Sequence, residues 1–241
     1  MAAFETPLDQ GAEYIEPDLV STGDGVLVAR HDAELSLTTD VAQRPEFAAR
    51  RRTQTIDGRP ESGWFVEDFS WRELQALRAR ERWPQWRPGS AAFDGEFGIP
   101  SLAQIVELLR KKSTAIGRTI GLYPETKLPA HFAERGLALE APLVRTLRAA
   151  GWRDAVDPVL LQSFDPDSLR KLARLTDLRR VQLVSDRRPL DVAALRAIAG
   201  YAHGLGAAKA VLIPRRPDGA LGAPTPLVAQ AHAAGLVVHA W

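Results

Sequence analysis

The sequence predicts an α/β fold, a (β/α)8 barrel of the TIM type, and three observations carry that expectation. From residue 99 to the end, strand-like and helix-like runs alternate at least five times, the pattern of parallel strands joined by crossover helices. No Gly-rich phosphate loop follows any strand run, which favours a closed barrel over a doubly wound sheet. The length, 241 residues, suits one barrel with a sizeable core.

The elements follow in order. Residues 2–10 read as the end of a helix stopped by Gly11. Residues 13–20, EYIEPDLV, are a strand, with Pro17 tolerable near its end or at a bulge. Gly23-Asp24-Gly25 is a tight turn into a second strand at 26–30. A turn this short makes the pair antiparallel, because a parallel return needs a crossover of about a dozen residues or more. The stretch from about 39 to 98 departs from the pattern. It holds four of the six tryptophans, many arginines and several prolines. It reads as an insertion that caps a site, meets a partner or packs on the barrel, with one helix expected over 71–83. Ser101 and Gln104 form a capping box ahead of Leu102, Ile105, Val106 and Leu109 on one helical face. Then come a strand at 119–126, a helix at 141–150 and a strand at 159–164. Asp165-Pro166 starts the next helix as N-cap and first-turn proline. A strand at 181–185, a helix from Asp191 to about 202, a strand at 208–214, a helix from Thr225-Pro226 to Gly235 and a strand at 236–241 complete the chain.

Composition removes several function classes. The net charge of +1 leaves no basic footprint for nucleic acid. There is no cysteine, hence no disulfide, thiolate metal site or thiol nucleophile. No apolar run approaches the length of a membrane span. No feature of the sequence fixes an oligomeric state.

Chemistry concentrates at the ends of the strand runs, where barrel enzymes place their functional side chains. Glu16 and Asp18 are two residues apart and share a strand face, as do Glu125 and Lys127. If these strands are neighbours, three carboxylates and one ammonium meet at one barrel mouth. Carboxylates without cysteine or a histidine pair suit Ca²⁺ or Mg²⁺, not zinc. His31 ends the hairpin strand ahead of Asp32. It is either a general acid or base oriented by a carboxylate, or a hydrogen-bonded turn residue. His131, His203 and His232 fall in helical or loop stretches and read as surface or core residues, whereas His239 lies in the last strand with either face open to it. Phe164 and Trp241 also end strands, as core layers or as walls of a small apolar pocket.

Taken together, GAEYIEPDLVSTGDGVLVARHDAELSLTTDVA, GWFVEDF, FDGEFGIPSL, IGLYPETKLP, LLQSFD and GLVVHAW resemble the glycerophosphodiester phosphodiesterase family. The matching stretches run in the family's order over nearly the whole chain. The long 39–98 segment and the YPETK wording resemble the longer, exported branch, so the resemblance implies a periplasmic or secreted protein. It also implies metal-dependent hydrolysis of glycerophosphodiesters to sn-glycerol 3-phosphate and an alcohol. Carried over residue by residue, Glu16, Asp18 and Glu125 bind the divalent cation, Ca²⁺ or Mg²⁺. His31 is the general acid, Lys127 contacts the phosphate, and Trp241, with Phe164 as the weaker match, lines the glycerol pocket. Two other readings stand beside it: a non-catalytic relative that binds phosphodiesters or a partner protein, and a phospholipase D of the sphingomyelinase type.

The family pattern also contains an H-R-G motif ending the first barrel strand, and a last helix and strand beyond the position of Trp241. No H-R-G occurs in the chain. The expectation is that residues 1–241 form a single incomplete barrel domain lacking the first and last strands, with an insertion at 39–98. Such a sheet would have two open parallel edges, and the chain alone would be poorly stable and nearly inactive.

Overall fold

In the computed structural model, residues 1–185 and 190–241 are described. Helix α1 (Ala2–Asp9) ends at Gly11, whose φ of +95° suits only glycine comfortably. The expected strand at 13–20 is divided by Pro17 into β1 (Tyr14–Ile15) and β2 (Asp18–Ser21). Strand β3 (Leu27–Ala29) returns antiparallel along β2. The insertion contributes the hairpin β4 (Arg52–Ile56) and β5 (Arg59–Gly63) and the short helices α2 (Trp71–Leu74) and α3 (Pro88–Ala91). Its Phe47, Trp64, Phe65, Val66, Phe69, Leu74 and Leu77 are buried in the same apolar cluster as Leu19, Leu102 and Leu122.

The regular part begins with α4 (Leu102–Ile116), capped by Ser101 and Gln104 as the sequence indicates and ended by Gly117 at φ +67°. Strands β6 (Gly121–Leu122) and β7 (Glu125–Thr126) are divided by Pro124. Two short helices, α5 (Pro129–Glu134) and α6 (Glu140–Ala149), precede β8 (Leu160–Ser163). Helix α7 (Pro166–Leu175) is N-capped by Asp165 and leads to β9 (Arg179–Val184). Helix α8 (Val192–Ala199), β10 (Gly204–Ala207), α9 (Lys209–Leu212), α10 (Leu227–Ala233) and β11 (Val237–Ala240) follow.

The main sheet has the order β11-β10-β9-β8-β7-β2-β3, with β1 and β6 paired beside it. Backbone bonds bridge both prolines: Tyr123 N–H donates to the Ile15 carbonyl and Glu125 N–H to that of Pro17. Residues 13–21 and 121–126 thus act as single strands, each with one missing donor. Six parallel strands in chain order result, as a TIM-type fold requires. The sheet also curls. Strands β7 and β11 lie four strands apart, which in a flat sheet is roughly 19 Å. Yet the Tyr123 hydroxyl, at the head of β7, lies 2.8 Å from Nδ1 of His239 in β11. Among the described residues the sheet does not close, because β11 has β10 as its one partner. The other edge differs from the expectation of a bare parallel strand, since β3 pairs along β2 at Leu19, Val20 and Ser21.

Two elements depart from the sequence reading. The helix expected over 71–83 stops at Leu74. Beyond it Asp40 accepts from the Arg78 N–H, and Ala79 bridges to Thr39. Pairing to distant backbone wins there over helix propensity. The strand expected at 208–214 is instead α9, and the strand is the preceding GLGA. A Cβ at Gly206 would lie 2.5 Å from Leu183 Cδ2, and one at Gly204 2.9 Å from Val237 Cγ2. Crowding by neighbouring strands demands small residues, which carry little strand propensity.

Candidate active site

The sheet register builds the acidic centre. Asp18 pairs with Glu125, and Glu125 with Gln162. Side chains of β2, β7 and β8 therefore stand side by side on one rung, in the C-terminal half of the composite strands 13–21 and 121–126 and of β8. Glu16 joins them from two residues earlier on the same face. Carboxylate oxygens of Glu16, Asp18 and Glu125 all lie within 4.8 Å of one another. Lys127, two residues past Glu125, places Nζ 2.9 Å from Glu125 Oε1 and 3.4 Å from Asp18 Oδ1. Gln162 donates from Nε2 to Glu16 Oε1 at 2.6 Å and to the Tyr123 carbonyl at 3.3 Å.

Three carboxylates and one ammonium leave an excess of negative charge in a half-closed place. Burial pushes the Glu125 carboxyl up to about 7, with Asp18 adding to the effect against the pull of Lys127. Burial and Asp18 likewise raise Glu16. Burial alone would lower the Lys127 ammonium, but Glu125 and Asp18 outweigh it and hold its pKa above the ordinary value. Such a cluster fits a divalent cation: its donors are all oxygen, and the excess charge has the sign a cation would neutralise.

His31 arrives by another route. The Arg30 N–H donates to the Asp18 carbonyl at 2.8 Å, which sets the next residue beside the acidic rung. The Arg30 guanidinium ties the loop by donating to the carbonyls of Asp32 and Glu34 and to Thr38 Oγ1. His31 Nδ1 lies 2.6 Å from Asp32 Oδ1, and its side chain is 67% exposed. The hydrogen bond to Asp32 raises the His31 pKa, against the effect of burial. Asp32 also takes a guanidinium contact from Arg82 in the insertion, fifty residues away. A cavity of about 380 Å³ opens beside this group, lined in part by His31, Asp32, Arg80, Arg82 and Phe97.

The two aromatic residues meet, although their strands β8 and β11 are three apart. Phe164 and Trp241 stand edge to face, with ring centroids 5.6 Å apart, and both are exposed. The Lys127 ammonium lies 5.9 Å from the Phe164 ring centroid, so the aromatic pair borders the acidic rung. Trp241 is held by Nε1 donating to the Gly206 carbonyl at 3.1 Å.

The structure thus gathers Glu16, Asp18, Glu125, Lys127, Phe164 and Trp241 at one end of the sheet, with His31 alongside. Sequence reasoning missed Gln162 and Arg82. Gln162 stands two residues before Phe164 at a strand end, the spacing that singled out Glu16 and Asp18. Nothing local marks Arg82. Of the other histidines, His131 Nε2 sits 2.9 Å from buried Glu67, His203 Nδ1 accepts from the Arg180 N–H, and His239 Nδ1 lies 2.8 Å from the Tyr123 hydroxyl, next to the rung.

A family model described as the glycerophosphoryl diester phosphodiesterase family matches residues 1–241. The chain belongs to that family. A glycerophosphodiester phosphodiesterase of Arabidopsis thaliana is 32% identical over 261 aligned residues, covering 98% of this chain and 68% of the relative. One from Haemophilus influenzae is 28% identical over 197, covering 73% and 50%. The chain therefore spans about half to two thirds of these relatives. Solved structures agree in fold. A phosphodiesterase from Oleispira antarctica, in complex with the product sn-glycerol-3-phosphate, aligns with a TM-score of 0.68 at 21% identity. That alignment covers 100% of this chain and 76% of the other. A glycerophosphodiester phosphodiesterase from Agrobacterium tumefaciens gives 0.62 at 22%, covering 99% and 78%. At these identities the structures support the TIM-type fold of the family.

Proposed function

We propose that this chain carries the cation- and phosphate-binding side of a glycerophosphodiester phosphodiesterase, which hydrolyses a glycerophosphodiester to sn-glycerol 3-phosphate and an alcohol. The observation that carries this reading is the rung itself: three carboxylates within 4.8 Å beside a lysine, on neighbouring parallel strands of a family member. The family match and the named relatives favour it over a phospholipase D of the sphingomyelinase type.

Glu16, Asp18 and Glu125 would hold a divalent cation, Ca²⁺ or Mg²⁺, which when bound supplies positive charge to the phosphate oxygens. Lys127 adds a second positive charge from the same side. It is held by two carboxylates, so it needs little reorganisation as the phosphate becomes more negative. His31 protonates the departing alkoxide. Because Nδ1 faces Asp32, Nε2 is the nitrogen left to deliver that proton, and the raised pKa keeps the imidazole protonated further up the pH scale. The Phe164–Trp241 pair gives the glycerol moiety an apolar wall next to Lys127. A location outside the cytoplasm belongs to the same reading, on the likeness of the 39–98 segment to the exported branch. Among the described residues no helix is long and apolar enough to cross a membrane.

The test is release of sn-glycerol 3-phosphate from a panel of soluble glycerophosphodiesters by the cation-loaded protein, alongside lysolipid and sphingolipid micelles. Turnover of the soluble diesters, abolished by chelation and restored by Ca²⁺ or Mg²⁺, supports the reading. Turnover confined to sphingolipid micelles would replace it. Cation binding without turnover of any diester, in the full-length protein as well as in residues 1–241, would favour the non-catalytic alternative.

A further inference from the structure

Lys127 is followed by a turn that the backbone does not take freely. Among the described residues two that are not glycine have positive φ, Asp57 and Leu128. Asp57 precedes Gly58 in the turn between β4 and β5, where an Asp-Gly pair is expected. Leu128, at φ 49° and ψ 44°, is a bulky residue in the left-handed region. Such backbone is strained, persists only where its surroundings fix it, and gathers at functional sites.

The surroundings that fix Leu128 come from two sides. Ahead of the turn, the Lys127 N–H donates to the Leu19 carbonyl of β2 at 3.0 Å. Behind it, the Leu128 carbonyl accepts from the Phe132 N–H at 3.2 Å, and Pro129 and Phe132 are buried. Helix α5 has six residues, too few to be stable by itself. Its His131 puts Nε2 2.9 Å from Glu67 Oε1, and the two side chains are 9% and 3% exposed. Glu67 belongs to the insertion, in the short turn Val66–Asp68. That turn is fastened to the end of β2. The Gly23 N–H donates to the Phe69 carbonyl at 2.8 Å, and a Cβ on Gly23 would lie 2.6 Å from the Glu67 carbonyl oxygen. The start of α5 is thus tied, through the insertion, to the strand that carries Asp18.

Fold stability does not account for a charge at this place. Gln54 Nε2 donates to Glu67 Oε1 at 2.8 Å, and the Arg52 and Arg135 guanidiniums approach the same oxygen at 3.4 and 3.7 Å, with Arg52 shared by Asp68. Glu67 Oε2 is buried and has no hydrogen-bond partner among the described residues. Burial would raise the Glu67 carboxyl, yet the bonds from His131 and Gln54 hold it below the ordinary value. A buried carboxylate with one bare oxygen costs stability that an apolar residue would not. What it supplies is a single placement for His131.

We propose that Glu67 and His131 are positioning residues for Lys127. The pair holds α5 so that Leu128 stays left-handed and Lys127 Nζ stays against Glu125 and Asp18, facing the phosphate. The insertion thereby supports the phosphate contact as well as the His31 arm. This inference rests on the diesterase reading, in which Lys127 meets the phosphate.

The experiment measures binding of sn-glycerol 3-phosphate to the full-length, cation-loaded protein, with cation affinity measured beside it. Lys127→Met should weaken product binding about 30-fold or more. Glu67→Gln should weaken it about tenfold and leave cation affinity unchanged, because Glu16, Asp18 and Glu125 keep their strand register. In the Lys127→Met background Glu67→Gln should have no further effect, whereas a purely structural role would give the same loss in both backgrounds. Leu128→Gly and Leu128→Asn both lose the leucine's packing, but asparagine favours the left-handed turn and glycine frees it. Leu128→Gly should bind product about threefold more weakly than Leu128→Asn, a reading that stands even where Glu67→Gln does not fold. Three results would each overturn this inference and leave the diesterase reading standing: wild-type product affinity in Glu67→Gln, an equal loss in both backgrounds, or Leu128→Gly matching Leu128→Asn. Wild-type protein that binds no product, or binds it equally well after Lys127→Met, would overturn the phosphate role of Lys127 and this inference with it.

Discussion

The acidic rung and the His31 arm stand side by side, yet they are built in opposite ways. Glu16, Asp18, Glu125 and Gln162 are placed by strand register, so their spacing is set by backbone bonds between β2, β7 and β8. His31 extends from a hairpin and is oriented through Asp32, which is gripped in turn by Arg82 from the insertion. A rung of this kind tolerates changes in distant loops, whereas the arm depends on them. Cation binding should therefore be robust in this protein and proton delivery adjustable.

Removing a rung carboxylate should have the largest effect. Glu125→Gln keeps the shape but takes away a ligand, and should lower turnover by roughly 10³-fold or more through lost cation affinity. His31→Ala should cost about 10²–10⁴-fold in kcat while leaving cation affinity unchanged. That contrast, measured by calorimetry beside kinetics, separates the two parts. Gln162→Ala should cost about 10–100-fold in cation affinity, because Glu16, a proposed ligand, loses the group that orients it.

The smallest and most informative effect belongs to the arm's support. In the proposed role His31 acts protonated, and its pKa is raised by Asp32, so activity should fall as pH rises through a value above the ordinary histidine range. Asp32→Asn removes the main cause of that elevation, so the alkaline fall should move to lower pH. Arg82→Ala, which loosens Asp32, should move it the same way, with kcat down about tenfold or less and cation affinity intact. An unmoved pH profile in both variants would show that the insertion does not orient His31.

What was legible in the sequence follows the same division. Two-residue spacings at strand ends, Glu16 with Asp18 and Glu125 with Lys127, announce a shared face because the strand period is two. The capping box at Ser101 and Gln104 and the Asp165-Pro166 start announce helices through local bonding. Legibility ended where distant neighbours decide. The GLGA strand owes its small residues to Leu183 and Val237 on flanking strands, and a local reading passed over it for the branched run that became α9. The helix expected over 71–83 is cut short by the Asp40 carboxylate, which accepts from the Arg78 N–H, and by the backbone of Thr39, which bridges to Ala79. The Arg82–Asp32 contact spans fifty positions, and no spacing rule reaches that far.

The account rests most heavily on the acidic rung being a divalent-cation site. A calorimetric titration of the protein with Ca²⁺ and with Mg²⁺, repeated on Glu125→Gln and Arg82→Ala, tests it directly. The account predicts binding at one site, abolished or severely weakened by Glu125→Gln and untouched by Arg82→Ala. Absence of binding in the wild-type protein, or binding that Glu125→Gln leaves unchanged, would contradict it.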